Sequence, residues 1–156
     1  FYAITISYEN EDEIHMKLYK SAMVKKESKL NIKNINTTNI FTLVDLAIST
    51  SKIKNNINFT KNYDPSIPEF KLDASSFIKT LNQTFEAFKD KENVTCSILL
   101  KIGEYIKIDS KKYSLISVEI VANEESDFSS LNIKETNSFI ITYDDSKVTI
   151  DLPLIL

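Results

Sequence analysis

A chain of 156 residues is enough for one domain, and 42% hydrophobic with 26% charged residues is the composition of a folded globular protein. That composition excludes intrinsic disorder. The net charge of −3 gives no general pull toward nucleic acid or an anionic membrane. All 19 basic residues are lysine, so the best bidentate reader of phosphate, carboxylate and guanine is missing. The single glycine, Gly103, rules out the P-loop, the dinucleotide fingerprint and the G-x-S-x-G nucleophile elbow, each of which needs at least two. One His (His15) and one Cys (Cys96) rule out His-rich and Cys₄ zinc sites and a C-x-x-C redox pair within the chain.

The chain is rich in Ile, Lys, Asn, Phe and Tyr, residues with mostly A/T codons, which points to an AT-rich genome. No apolar run reaches the roughly 20 residues of a membrane helix. The tail Leu152–Leu156 is read as a last strand or a docked end, and the start at Phe1 as that of a processed chain or an excised domain. Sequons at Asn36, Asn58, Asn82 and Asn93 are expected by chance in so Asn/Ser/Thr-rich a chain.

In chain order, Tyr2 to Tyr8 alternate as a strand, Glu9–Glu13 form an acidic turn, and Ile14, Met16 and Leu18 return as its hairpin partner. Residues 21–29 are polar and lysine-rich, and Leu30 and Ile32 suggest a short strand. Thr37 or Thr38 is positioned to cap a helix over 39–51, with Ile40, Leu43, Val44, Ala47 and Ile48 on one face. Ile57 and Phe59, then Phe70 and Leu72, are extended. Asp73 caps a helix over 74–90 whose stripe is Phe77, Ile78, Leu81, Phe85 and Phe88. A meander follows. Val94 to Leu100 alternate, Gly103-Glu104 read as a two-residue II′ turn, and 105–108 pair back. After a second turn at 109–112 comes a long strand, 113–122, with Ile116, Val118 and Ile120 on one face. An acidic loop spans 123–130. A last hairpin joins Phe139–Tyr143 to Val148, Ile150 and Leu152.

The expected fold is therefore α+β: a mostly antiparallel sheet, from an N-terminal hairpin and a C-terminal meander, with two amphipathic helices on one face. The chain reads as a single domain over 1–156, divisible at most into halves 1–68 and 69–156. A strand–cap–helix–strand unit recurs over 30–60 and 70–102. That doubling resembles sliding-clamp domains at the level of fold, although the mixed charge of these helices departs from a DNA-facing basic surface.

The candidates for chemistry each have a plain structural reading. His15 sits on the polar side of its strand. Ser76 and Lys79 match S-x-x-K, as do Ser51 and Lys54, but Ser76 also lies one turn from the cap Asp73. Cys96 alternates with Val94 and Ile98 on an apolar face. Acids cluster at Glu9, Glu11, Asp12 and Glu13, at Glu124, Glu125 and Asp127, and at Asp144 and Asp145, all in turns, with 123–130 the best placed for a cation. Lys17, Lys20, Lys25, Lys26, Lys29 and Lys33 form a basic segment, the one candidate interaction surface.

No catalytic, cofactor or metal site emerges from these residues. The sequence alone leads to the expectation of a non-catalytic module, a protein-binding or structural part of a larger assembly, and not an enzyme. The expected partner is another protein or a second copy; nucleic acid is not expected. Two alternatives stay open: an anion- or nucleic-acid-binding domain using the lysines of 17–33, and a small hydrolase using loop carboxylates or the Ser–Lys pair.

Overall fold

A computed structural model describes residues 24–27, 34–51, 57–124, 128 and 139–156. The described elements are β1 (Val24–Glu27), β2 (Asn36–Thr38), α1 (Ile40–Thr50), β3 (Asn58–Tyr63), β4 (Phe70–Leu72), α2 (Ala74–Ala87), β5 (Asn93–Ile108), β6 (Lys111–Ala122), β7 (Ile140–Tyr143) and β8 (Lys147–Pro153). The fold is α+β, with a six-stranded sheet carrying two helices on one face. The expected N-terminal hairpin over 2–19 and the strand at 30–32 lie outside the described residues.

Both helices form because an apolar stripe can be buried, not because their propensity is high. α1 has only 11 residues, too few to persist alone in water. Its buried residues are Ile40, Leu43, Val44, Ala47 and Ile48, the face the spacing marks out. The cap is Asn39, one residue beyond the expected threonines; its Oδ1 accepts from the Thr42 N–H at 3.2 Å. α2 is capped by Asp73 as expected, with Oδ1 accepting from the Ser76 N–H at 3.2 Å. Phe77, Leu81 and Phe85 of α2 are wholly buried, each contributing roughly 1.5–3 kcal/mol. Thr80 and Thr84 are buried with them, and Thr84 Oγ1 satisfies itself by donating to the Thr80 carbonyl at 2.8 Å.

The recurring strand–cap–helix–strand unit is real in space. β2–α1–β3 and β4–α2–β5 lie side by side: β2 pairs antiparallel with β4, β3 pairs parallel with β5, and the helices touch. The main sheet runs β1-β5-β6-β8-β7, and β3 also joins β5. β1 and β3 share one edge of β5, β3 alongside Asn93–Ile98 and β1 alongside Tyr105–Lys107. The tail docks as well: the Lys71 N–H donates to the Ile155 carbonyl at 2.7 Å, and the Leu154 N–H to Ser114 at 2.8 Å.

Gly103 marks the largest departure from the expected meander. β5 is one strand from Asn93 to Ile108, not two strands joined at Gly103-Glu104. The hairpin turn is Asp109-Ser110, both at positive φ (49° and 67°), which closes Ile108 onto Lys111. Two positive φ values are what a I′ turn needs, and Asp tolerates that region better than most residues. Gly103, at φ +84°, lies within a bulge: Lys101 faces Leu115 but Tyr105 faces Ser114, so Ile102, Gly103 and Glu104 are extra residues outside the β5–β6 register.

An odd number of extra residues reverses the strand's sidedness. Before the bulge, Val94, Cys96 and Ile98 face the helices, with Ile116, Val118, Ile120, Val148, Ile150 and Leu152 from the neighbouring strands. After it, Ile106 and Ile108 join Leu115 in a second small core, against Tyr113 and Ile140. The parity of β6 puts Leu115 on the face opposite the helices.

Candidate functional site

That opposite face carries the polar chemistry of the sheet. The register aligns Ser97, Glu119, Thr149 and Thr142 across β5, β6, β8 and β7, and in the next row Leu99, Ser117, Asp151 and Ile140. Ser117 and Asp151 are both buried, and the Ser117 Oγ donates to Asp151 Oδ1 at 2.5 Å, a short bond that satisfies a carboxyl oxygen held away from water. Beside this pair lies a trough of about 280 Å³, lined by Lys101, Glu119, Thr142, Tyr143, Asp144, Lys147 and Thr149. One wall is the ion pair between Lys101 Nζ and Glu119 Oε2, 3.1 Å apart, with side chains 29% and 18% exposed. The other wall is the β7–β8 turn, where the Asp144 N–H donates to the Lys147 carbonyl at 3.0 Å. Thr142 and Thr149 supply hydroxyls between the walls. Tyr143 is steadied by an edge contact with Phe128 at 6.0 Å, and Phe128 by Phe88 at 5.4 Å.

A second polar cluster joins α1 to β3. Asp45 Oδ1 accepts from the Tyr63 hydroxyl at 2.9 Å and pairs with Lys61 Nζ at 2.8 Å. Phe41 stacks on the Tyr63 ring, with centroids 5.5 Å apart. Burial, and then the hydrogen bond and negative charge of Asp45, push the Tyr63 phenol well above its usual range. Tyr63 therefore stays protonated and acts as a fixed donor, not a base.

The residues singled out in the sequence do not converge. Ser76 is a capping residue: its hydroxyl donates to Asp73 Oδ2 at 2.9 Å, and Lys79 is exposed, so no Ser–Lys pair is poised for attack. Cys96 is wholly buried, and burial pushes its thiol up to about 12, against a small opposing pull from Lys61, so it is inert at neutral pH. Asp144 and Asp145 lie at the β7–β8 turn. Glu124 is exposed, while Glu125, Asp127, the 9–13 acids and His15 lie outside the described residues. Among the described residues, no group of three or more His, Cys, Asp or Glu side chains could hold a metal ion. Lys25 and Lys26 lie in β1 beside the second half of β5, while Lys17, Lys20, Lys29 and Lys33 fall outside the described residues. No described helix is long and apolar enough to cross a membrane. The trough itself was not legible in the sequence. Its lining comes from four strands and a turn, and only the register brings 101, 119 and 142–149 together.

No protein-family model and no characterised protein sequence matches the chain. Solved structures do match it in fold. The histidine kinase AdeS of Acinetobacter baumannii superposes with a TM-score of 0.55 at 10% identity, over 94% of this chain and 81% of that one. The cytoplasmic segment of histidine kinase QseC superposes with a TM-score of 0.50 at 6% identity, over 97% and 99%. At these identities the likeness is one of fold. It corrects the sequence-based expectation of a non-catalytic protein-binding or structural module, and the expectation that the chain is not an enzyme: AdeS and QseC, which share its architecture, are histidine kinases. Neither alternative, an anion- or nucleic-acid-binding domain built on the lysines of 17–33 or a small hydrolase, describes AdeS or QseC, which are histidine kinases. That expectation rested on missing motif glycines and nucleophiles, and a strand and helix arrangement does not depend on either.

Proposed function

We propose that the chain is a nucleotide-binding domain of the histidine-kinase kind, taking ATP and serving phosphoryl transfer. The observation that supports this is the agreement in fold with AdeS and QseC across nearly the whole chain. The chemistry is compatible with the residues present. Phosphoryl transfer needs little covalent participation by the protein and depends on positioning and electrostatic stabilisation. It therefore does not require the reactive Ser, Cys or His that the described residues fail to provide. With one glycine and no arginine in the chain, the standing positive charge for its phosphate contacts comes from lysine ammonium groups, acting as point charges, with neutral donors from backbone N–H groups and hydroxyl or amide side chains.

The test is displacement of a ribose-labelled fluorescent ATP analogue by unlabelled ATP in the presence of magnesium. Saturable binding, reversed by ATP and ADP and weakened by salt, is the expected result. A folded chain, verified by circular dichroism, that shows no displaceable binding at millimolar ATP would mean that the architecture is kept without the chemistry, and would overturn the proposal.

A further inference from the structure

The trough on the outer sheet face has a charge pattern of its own. Lys101 and Glu119 neutralise each other at 3.1 Å. That leaves one charge of each sign, Asp144 and Lys147, held near opposite ends of a tight turn by the backbone bond between them. Asp144 and Lys147 do not pair with each other. The side chains of Asp144, Lys147, Thr142 and Thr149 make no hydrogen bond or ion pair among the described residues. Four unengaged polar side chains around one concavity, two of them oppositely charged, form a recognition pattern rather than a structural network.

We infer that this trough is a binding site for a free α-amino acid. The ligand's ammonium group faces Asp144, its carboxylate faces Lys147, and the Thr142 and Thr149 hydroxyls donate to the carboxylate or accept from the ammonium. The volume favours a small molecule, since about 280 Å³ lies just below the roughly 300–1,000 Å³ of pockets for drug-sized ligands. The charges argue against a nucleotide at this position. A triphosphate would meet two carboxylates and only one lysine not already engaged, and like-charge contacts of that kind are strongly unfavourable in a partly buried trough. The site is thus distinct from the ATP binding proposed above and does not depend on it. Its half-open setting screens both ion pairs, so the affinity is modest.

Saturation-transfer NMR with a mixture of the twenty amino acids, followed by each one singly, tests the inference on the whole chain. At least one amino acid is expected to bind. Acetate or methylamine alone should bind at least about tenfold more weakly, because each engages half of the pattern. Asp144→Asn and Lys147→Gln should each weaken binding by about tenfold or more; Asp144 is exposed at the turn and Lys147 half-exposed at the first residue of β8, where a change of side chain leaves the backbone pairing intact. ATP titration of the same variants should be unchanged. Absence of any amino-acid signal would overturn the inference, as would binding that survives both substitutions. Inorganic phosphate or ATP competing for the same residues would overturn it in favour of an anion site.

Discussion

Replacing Gly103 with alanine isolates the backbone cost of the β5 bulge. A Cβ built at Gly103 meets nothing within 4 Å, so the substitution causes no clash. The cost is that of an L-residue at φ +84°, about 1–2 kcal/mol. Against this, alanine loses less entropy than glycine on folding, an offset of about 0.4–1 kcal/mol. Mid-range values leave a net loss of about 0.8 kcal/mol, a fall in Tm of about 2–3 °C for a domain of this size. Gly103→Asn should lose less, because Asn visits the left-handed region more readily. Ile102, which is 91% exposed on the same bulge, should tolerate lysine with no more than about 0.5 kcal/mol of change. Thermal and urea unfolding monitored by circular dichroism measure all three. An alanine variant as stable as the parent would mean that the bulge does not impose the positive φ. A loss of about 3–5 kcal/mol, as for truncating a buried Phe, would mean that Gly103 supports packing, and the argument from open space would fail.

Asp73→Ala should cost about 1 kcal/mol, because the Ser76 N–H and hydroxyl lose their acceptor at the start of α2; urea unfolding reads it, and a neutral result would refute the cap's role. Cys96 and Tyr63 both have raised folded-state values. Their contribution is therefore complete below the unfolded values of 9.0 and 10.0, and for Cys96 it is lost as pH rises through about 12. Stability should fall progressively above pH 9, with Cys96→Ala removing the earliest part of that fall; a flat profile to pH 11 would contradict the burial of the thiol.

What the sequence made legible is what depends on local period. The buried faces of α1 and α2, the Asp73 cap, the run of Ile116, Val118 and Ile120 and the closing hairpin all follow from spacing within one element. The course of β5 does not. Val94, Cys96, Ile98, Leu100, Ile106 and Ile108 keep even numbers throughout, so the pattern hides the point at which the strand reverses its faces. The turn expected at 109–112 is there, at Asp109-Ser110, but the lone glycine suggested a further turn at Gly103-Glu104 where the strand only bulges. The trough was hidden because register, not proximity in sequence, assembles it. The kinase-like architecture was hidden because identity of 6–10% leaves only the order of elements, which single-residue motifs do not record.

The sharing of one edge of β5 by β3 and β1 has a kinetic consequence. The β5–β6 ribbon is local in sequence and closed by a two-residue turn, so its formation costs little loop entropy. β3 and β1 must reach that ribbon from far upstream, in parallel, with Lys26 finding Ile106 and Asn58 finding Asn93. Such distant pairings form late and slowly. During synthesis both strands leave the ribosome before the ribbon exists, and their backbone groups have no partner strand to pair with until β5 emerges. On this argument the ribbon is the template for β1 and β3, and their pairing should follow the emergence of β5 rather than their own place in the chain.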